Sequence, residues 1–511
     1  MKKILAALLL AILVLSAVPC LAESVPTIRI TIVMNPLVTD YEDNYFTKWI
    51  EEAYGCKLEF TFLPTGEDAK TKLNVMIAGG EDLGDVLMIE GLDKATIQNY
   101  ADAGAFYDLT PYFESQDTNL EKLSEEIGED LVAAIKTATG EIWAYPDYYP
   151  ETNNMTKYRA WINQTWLDNL GLEMPTTPEE LYTVLKAFKE QDANGNGDPN
   201  DEIPLGLYTA GGTARTLATL LAAYGINSDT WSGHTLLQAD ADNKIYLADT
   251  TEAYKAFLAF LNKCYTEGLM DPEAFTLTGN EVMLNCQKDL YGFYGCGSAP
   301  FVMSTSSIDT DKAWSGVMGL TSEYNDTPTL GIPSGISGSF RMAINAESEH
   351  KEALVRFVDY LFGDEGGLSV FSGYEGVTFD YLHDDLLDAD VLTIRCPEGY
   401  SSSDEFRQYK AVFNGPFLTY SGIPARNTLW YDASDETLKK DEVIAQWGWM
   451  AQLASASRRP DLKQEPTFPE ECLSYTEEEL NERTTLRTDI DTYLTQSMAN
   501  FIMGVWSLDS D

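Results

Sequence analysis

Thr27-Ile-Arg-Ile-Thr-Ile-Val-Met34 is a run of β-branched and apolar residues with a period of two, the pattern of a strand. A polar loop, Asn35 to Asp43, leads into helical periodicity from Tyr45 to Ala53. Lys57 to Phe62 read as a second strand, and Lys70 to Ala78 as a second helix. Gly79-Gly80-Glu81-Asp82-Leu83-Gly84 then opens a third strand, Asp85 to Ile89. Strand–helix–strand alternation predicts a parallel sheet with crossover helices, an α/β fold. In such sheets ligands meet the loops at the carboxyl ends of the strands. Asp85 opens its strand, so it reads as a structural residue.

The alternation continues downstream with interruptions. Residues 141–150, Glu-Ile-Trp-Ala-Tyr-Pro-Asp-Tyr-Tyr-Pro, are rich in proline and aromatics and read as a crossing between two lobes. Trp161 to Leu170 precede Pro175-Thr-Thr-Pro178 and a helix from Glu179 to Lys189. Thr177 can cap that helix, and Pro178 stands in its first turn, where a missing N–H costs nothing. Ile203 to Tyr208 resume as a strand. Thr251 to Glu267 are helical, with Ala256, Phe257, Phe260 and Leu261 on one face. Residues 289–303 suggest a short strand ending near Ser304. Gly331 to Gly338 form a flexible loop before the strand Ser339 to Ile344, and Ala353 to Phe362 return to a helix. After Gly376 the pattern is irregular until helical stretches at Trp447–Ala454 and Ser474–Ile502.

Between the helix at 179–189 and the strand at 203 lies Asp192-Ala-Asn-Gly-Asn-Gly-Asp-Pro-Asn-Asp-Glu202. Oxygen-bearing side chains alternate at Asp192, Asn194 and Asn196, so a tight loop turns all three inward. Gly197 allows the sharp turn, Asp198 can offer its carbonyl, and Asp201 and Glu202 add carboxylates. This is the ligand chemistry of Ca2+, which takes six to eight oxygens in flexible geometry. The match to an EF-hand loop is partial, since Ile203 holds the twelfth position where a bidentate Glu belongs. An Asx-rich turn without an ion is the competing reading. A saturated all-oxygen cage has no open position, so the expected role is structural.

The beginning of the chain and its composition bound where the protein works. Lys2 and Lys3 precede an apolar run from Ile4 to Val18, and Ala22 closes the region. A basic start, a short apolar core and a small-residue exit make residues 1–22 a signal peptide, with a core too short to span a bilayer. Cleavage after Ala22 gives a soluble extracytoplasmic chain, whereas acylation at Cys20 gives a lipid-anchored one; both readings stand. The 511 residues exceed what one hydrophobic core serves, which predicts two domains. An excess of 81 acidic over 34 basic residues, net charge −47, excludes nucleic acid as a partner. It also disfavours anionic membranes and acidic ligands. Seven cysteines show no metal-ligand spacing and read as buried thiols. His234, His350 and His383 are dispersed, and no phosphate-binding Gly-x-x-x-x-Gly-Lys loop is present.

From Trp161 to Tyr182 the chain resembles the extracellular solute-binding proteins of family 1, the sugar-capturing components of ABC importers. The loop at 192–202 is similar to the calcium loop of the large oligosaccharide-binding members, with one extra residue between Asn196 and Asp201. Tyr265-Thr-Glu-Gly-Leu-Met-Asp-Pro-Glu-Ala-Phe275, Ala353-Leu-Val-Arg-Phe-Val-Asp-Tyr-Leu-Phe-Gly-Asp-Glu-Gly-Gly367 and Gly373-Tyr-Glu-Gly-Val-Thr-Phe379 extend the resemblance in the family's order. Relatives usually continue with another helix beyond Phe501-Ile-Met-Gly504.

The resemblance implies a two-lobed periplasmic-binding-protein-like fold of type II, two α/β lobes with a hinge and a ligand cleft. Residues 23–145 and 326–400 would form the N-terminal lobe, and 146–325 and 401–511 the C-terminal lobe, which carries the calcium loop. It implies no enzymatic activity, a monomer, a carbohydrate ligand and an ABC permease as partner. Sugar capture needs aromatic faces for the C–H side of the ring and polar groups for the hydroxyls. Trp143 and Tyr148 on the crossing, with Trp231, Trp314 and Trp430 in Gly-, Ser- and Asp-containing loops, are the candidate platforms. Tyr374 and Glu375 come from the family-like segment, and Arg341 is a candidate donor at the start of its strand. Trp161 and Trp166 read as core. A secreted glycoside hydrolase, which would need two carboxylates flanking a scissile bond, and a calcium-dependent adhesion module with its ion at the ligand site are the competing classes.

Overall fold

The computed structural model describes residues 26–35, 38–115, 117–127, 130–148, 160–198, 200–207, 215–226, 236–240, 242, 244–295, 314–317, 319–331, 336–363, 366–369, 373, 375–384, 389–394, 399–400, 406, 410, 431–432, 463–464 and 473–509. The leader with Cys20, the helical expectation at 447–454, and Trp231, Tyr374 and Trp430 lie outside them.

Two compact units divide the chain. The first comprises Met1–Pro150, Gly335–Thr437 and Glu470–Leu480, the second Glu151–Ser334, Leu438–Pro469 and Asn481–Asp511.

The first unit starts with strand β1 (Thr27–Val33), helix α1 (Tyr45–Tyr54), β2 (Lys57–Leu63), α2 (Glu67–Gly79) and β3 (Val86–Leu92). Short helices follow, α3 (Lys94–Asp102), α4 (Thr110–Ser115), α5 (Asn119–Ile127) and α6 (Leu131–Ile135), and then β4 (Ala144–Tyr148). The sequence pattern does not single out this helical run. Asn44 caps α1 by accepting from the Phe46 N–H, and Gly55 ends it in the left-handed region. β1 pairs in parallel with β2 on one side and β3 on the other. Ile30, Thr31 and Ile32 are all buried, as expected of a central parallel strand covered on both faces.

Asp85 confirms its structural reading. It sits just before β3 at the amino edge of the sheet, where its carboxylate accepts from the Arg29 N–H at 2.9 Å and the Ser348 hydroxyl at 2.8 Å. Neighbouring Gly84 could carry no side chain, since a Cβ there would lie 2.9 Å from the Arg29 carbonyl oxygen.

The second unit contains β5 (Ala160–Asn163), α7 (Gln164–Leu170), α8 (Pro178–Glu190), β6 (Ile203–Gly206) and α9 (Arg215–Ala222). The hairpin β7 (Leu237–Ala239) and β8 (Ile245–Leu247) leads to α10 (Glu252–Thr266), α11 (Gly279–Gln287), β9 (Tyr291–Gly295), β10 (Trp314–Val317) and β11 (Leu330–Gly331). Its main sheet has the order β10-β5-β9-β6, with β6 and β9 parallel and β5 antiparallel to β9 and β10. Thr177 caps α8 and Pro178 opens it, as read from the sequence. Trp166, Leu181, Phe188, Phe257, Leu261 and Phe293 centre the core, with Trp166 edge-on to Phe188. Trp161 is also fully buried.

The chain returns to the first unit with β12 (Ile336–Ile344), three residues earlier than the sequence suggests, and α12 (Lys351–Tyr360). β12 joins the first sheet antiparallel to both β3 and β4, giving the order β2-β1-β3-β12-β4. β4 therefore runs in the same direction as β1 to β3. Ile30, Met88, Leu109, Tyr145, Ile344 and Val358 share its core. Where the sequence appears irregular, β13 (Phe379–Asp384) and β14 (Ala389–Ile394) pair in register, with β15 (Tyr431–Asp432) alongside β14. In the second unit β16 (Lys463–Gln464) pairs with β11. The last helix, α13 (Glu477–Ile502), anchors Met498 and Ile502 in the second core, and the Asn262 amide donates to the Phe501 and Ile502 carbonyls.

Candidate functional site

The loop joining α8 to β6 is organised around its carboxylates. Asp192 Oδ2 accepts from the Gly197 N–H at 2.9 Å. The side chains of Asn194 and Asn196 each accept from the N–H two residues on, at 2.9 and 2.7 Å, which are Asx turns. Their amide groups both donate to Asp201, at 3.2 and 2.7 Å. Glu202 is 1% exposed, and its Oε1 accepts from the Ala193 N–H at 2.9 Å. All the side chains read from the sequence thus belong to one loop, with Asp198 turned to solvent and its carboxylate engaging Asn200.

Two oxygens are left over. Asp192 Oδ1 and Glu202 Oε2 are buried without a hydrogen-bond partner. A buried carboxylate oxygen without a donor is costly. Burial pushes the Glu202 carboxyl above its ordinary value, against the pull of backbone N–H donors including those of Asn194 and Ala193. The donor chemistry, hard oxygens from acids, amides and main chain, fits Ca2+. Among the described residues no three His, Cys, Asp or Glu side chains form a metal-ligating group. Amide and main-chain oxygens must therefore complete any cation's shell.

The loop precedes β6, so it lies at the amino edge of the second unit's parallel strands. Ligands of such sheets meet the opposite, carboxyl edge. A cation here would be structural.

The remaining candidates separate by the same criterion. Tyr148 closes β4, at the carboxyl edge of the first sheet. Trp143 precedes β4, at the amino edge, and packs half-buried on the first core with its indole N–H buried and unpartnered. Trp314 corrects the loop expectation: it is 3% exposed in β10, paired with Asn163. β10 is an edge strand of only four residues, which tolerates the Ser and Gly that made the segment read as a loop. Arg341 does not begin its strand. It is 2% exposed within β12, at a register shift between Phe340 and Met342, the kind of bulge that re-aims a side chain. Glu375 is exposed, in a tight turn bridged to Phe379. The described cysteines, Cys56, Cys264 and Cys286, are buried.

Two α/β units with separate cores, each built on a mixed sheet containing parallel strands, define the two-lobed class of solute-binding folds. The chain belongs to the bacterial extracellular solute-binding protein family, whose model matches residues 35–368. It is 29% identical over 301 residues to the fructooligosaccharide ABC transporter substrate-binding protein FusA of Streptococcus pneumoniae, covering 58% of this chain and 51% of that one. It is 25% identical over 343 residues to the lipoprotein LipO of Bacillus subtilis, covering 65% and 63%. The matched part thus spans about half to two thirds of these curated relatives. In structure it resembles FusA of S. pneumoniae in complex with kestose, at a TM-score of 0.65 and 21% identity over 93% of this chain and 92% of that one. It also resembles an HMO-binding, ABC-transporter-associated solute-binding protein of Bifidobacterium longum infantis, at 0.69 and 20% over 94% and 92%. Among the described residues no helix is long and apolar enough to cross a membrane.

Proposed function

We propose that the protein is the extracytoplasmic carbohydrate-binding component of an ABC importer, capturing an oligosaccharide between its lobes and delivering it to a membrane permease. The observation that carries this reading is the match to FusA, whose name states fructooligosaccharide binding and ABC transport. It acts without catalysis, as a monomer, either free or anchored through an acylated Cys20. Tyr148, Trp231, Tyr374 and Trp430 are the proposed stacking platforms, with Glu375 accepting from sugar hydroxyls. The half-buried position of Trp143 and the buried positions of Trp314 and Arg341 favour supporting roles for them.

Calcium is the proposed resident ion. Asp192, Asn194, Asn196, the Asp198 carbonyl, Asp201 and Glu202 would hold it, and its charge would offset the buried carboxylates. The location of the loop at the amino edge favours this role over an adhesion module with its ion at the ligand site.

Thermal shift across neutral glycans, fructooligosaccharides first, tests the binding function. A native-state ligand at about 100 times its Kd stabilises by about 2.7 kcal/mol, so the melting temperature should rise with a saturable dose response. New reducing ends during incubation would instead reveal a hydrolase. A flat response to every glycan would reject carbohydrate capture.

A further inference from the structure

Helix α11 ends in an unusual way. The N–H of Asp289 donates to the Cys286 carbonyl at 3.0 Å, and that of Leu290 to the Asn285 carbonyl at 3.1 Å. Together these make a Schellman motif with Asp289 in the left-handed position, at φ 57°. Glycine is the usual occupant, because it has no Cβ to clash. Asp289 is the only non-glycine residue with positive φ among the described residues.

Three further factors oppose an acid here. The carboxylate stands at the negative end of a helix. Burial pushes its carboxyl upward, and the like charge of Asp201 adds to the push. Two hydrogen bonds compensate: the Asn163 amide donates to Oδ1 at 2.8 Å and the Trp166 indole to Oδ2 at 3.4 Å. Both partners are fully buried, and the Asn163 side-chain oxygen also caps α7 through the Trp166 N–H. Both donors are neutral, so they do not account for the negative charge. An asparagine tolerates the left-handed region better and would still accept a hydrogen bond.

A cation in the α8–β6 loop would account for it. Asp201 belongs to that loop and acts on Asp289 electrostatically. The residue after Glu202 is tied to the same corner, the Ile203 N–H donating to the Leu290 carbonyl at 2.8 Å. We propose that Asp289 is a positioning residue of the cation loop, a non-ligating carboxylate whose charge strengthens the bound cation and whose bridge fixes the start of β6 against the β5–α7 junction. The proposal rests on the calcium reading above.

Calorimetric titration of the full chain with calcium chloride, for wild type, Asp289→Asn and Asp289→Gly, tests it. Each protein is also melted in chelator. Asp289→Asn should weaken calcium binding about fivefold at low ionic strength, while its melting temperature in chelator stays level or rises. The affinity gap should narrow toward about 1 M salt, where charges separated by more than about 3 Å are screened. Asp289→Gly, freed of backbone strain, should lose the same affinity. Equal affinities in wild type and variants would overturn the proposal alone. So would a salt-independent loss matched by lower stability in chelator, or failure of both variants to fold, since each makes the carboxylate purely structural. A wild type that takes up no calcium overturns the calcium reading itself.

Discussion

Asp192 and Glu202 each keep one buried carboxylate oxygen without a donor, so the loop carries a charge that nothing in it neutralises. If calcium supplies the neutralisation, a chelator should lower the melting temperature and calcium should restore it. Asp192→Ala should remove that response, and an unchanged melting curve in chelator would sink the calcium assignment. Asp249 is a third acid with one buried carboxylate oxygen that lacks a donor, and no cation is read beside it. One of its carboxylate oxygens accepts from the Leu236 N–H at 2.8 Å and the other is buried without a partner. Burial pushes its carboxyl up to about 6, with the like charge of Asp491 adding to the rise. A folded pKa above the unfolded value means that the stabilising contribution is complete below the unfolded value and is lost as pH rises through about 6. Asp249→Asn keeps an acceptor for Leu236 and removes the charge. It should therefore be more stable than wild type near pH 8, by on the order of 1–2 kcal/mol, and no more stable near pH 4. Urea unfolding at both pH values measures this, and a pH-independent difference would refute the account. The loop was legible in the sequence because alternating Asx residues and a glycine are a local pattern. Asp289 was not, because the sequence cue at a helix C′ position is glycine and its role depends on partners more than 120 residues away.

At the scale of elements, what could be read was what is locally determined. The strand β1, the crossover helices and the cap of α8 follow from periodicity and a Thr-Pro start. The pair β13–β14 was missed because Asp380, His383, Asp384, Asp390 and Thr393 break apolar alternation, and its pairing register is a tertiary property. Trp314 reads as a loop residue for a related reason: an edge strand needs few apolar residues, so composition alone does not identify it. The joint between α8 and β9 depends on packing that no local pattern encodes. A Cβ on Gly292 of β9 would lie 2.5 Å from Phe188 Cδ2 and 3.0 Å from the Pro204 carbonyl. Phe188 is fully buried edge-on to Trp166, and the carbonyl is backbone, so neither can give way cheaply. Gly292→Ala should cost about 1–3 kcal/mol by overpacking. Chemical denaturation would measure it, and a loss below about 0.5 kcal/mol would show that the helix moves away from the sheet without penalty.

At the scale of the whole molecule, two units with separate cores are joined where the chain passes Pro150/Glu151, Ser334/Gly335, Thr437/Leu438, Pro469/Glu470 and Leu480/Asn481. Each core closes on its own residues, so relative motion of the units does not require either hydrophobic cluster to open. That division is what a hinged clamp needs, since closure around a ligand then costs only the bending of the connections. If the proposed capture holds, ligand binding gains most in a closed form in which both units contact the sugar, and that differential affinity drives the equilibrium toward closure. Small-angle scattering with and without a glycan identified by thermal shift should show a smaller radius of gyration in the saturated sample. The change should follow the same concentration dependence as the melting shift, because both report occupancy of one site. A glycan that raises the melting temperature yet leaves the scattering profile unchanged would mean capture on a preformed surface. The hinge assigned from the two-lobed fold would then have no part in binding.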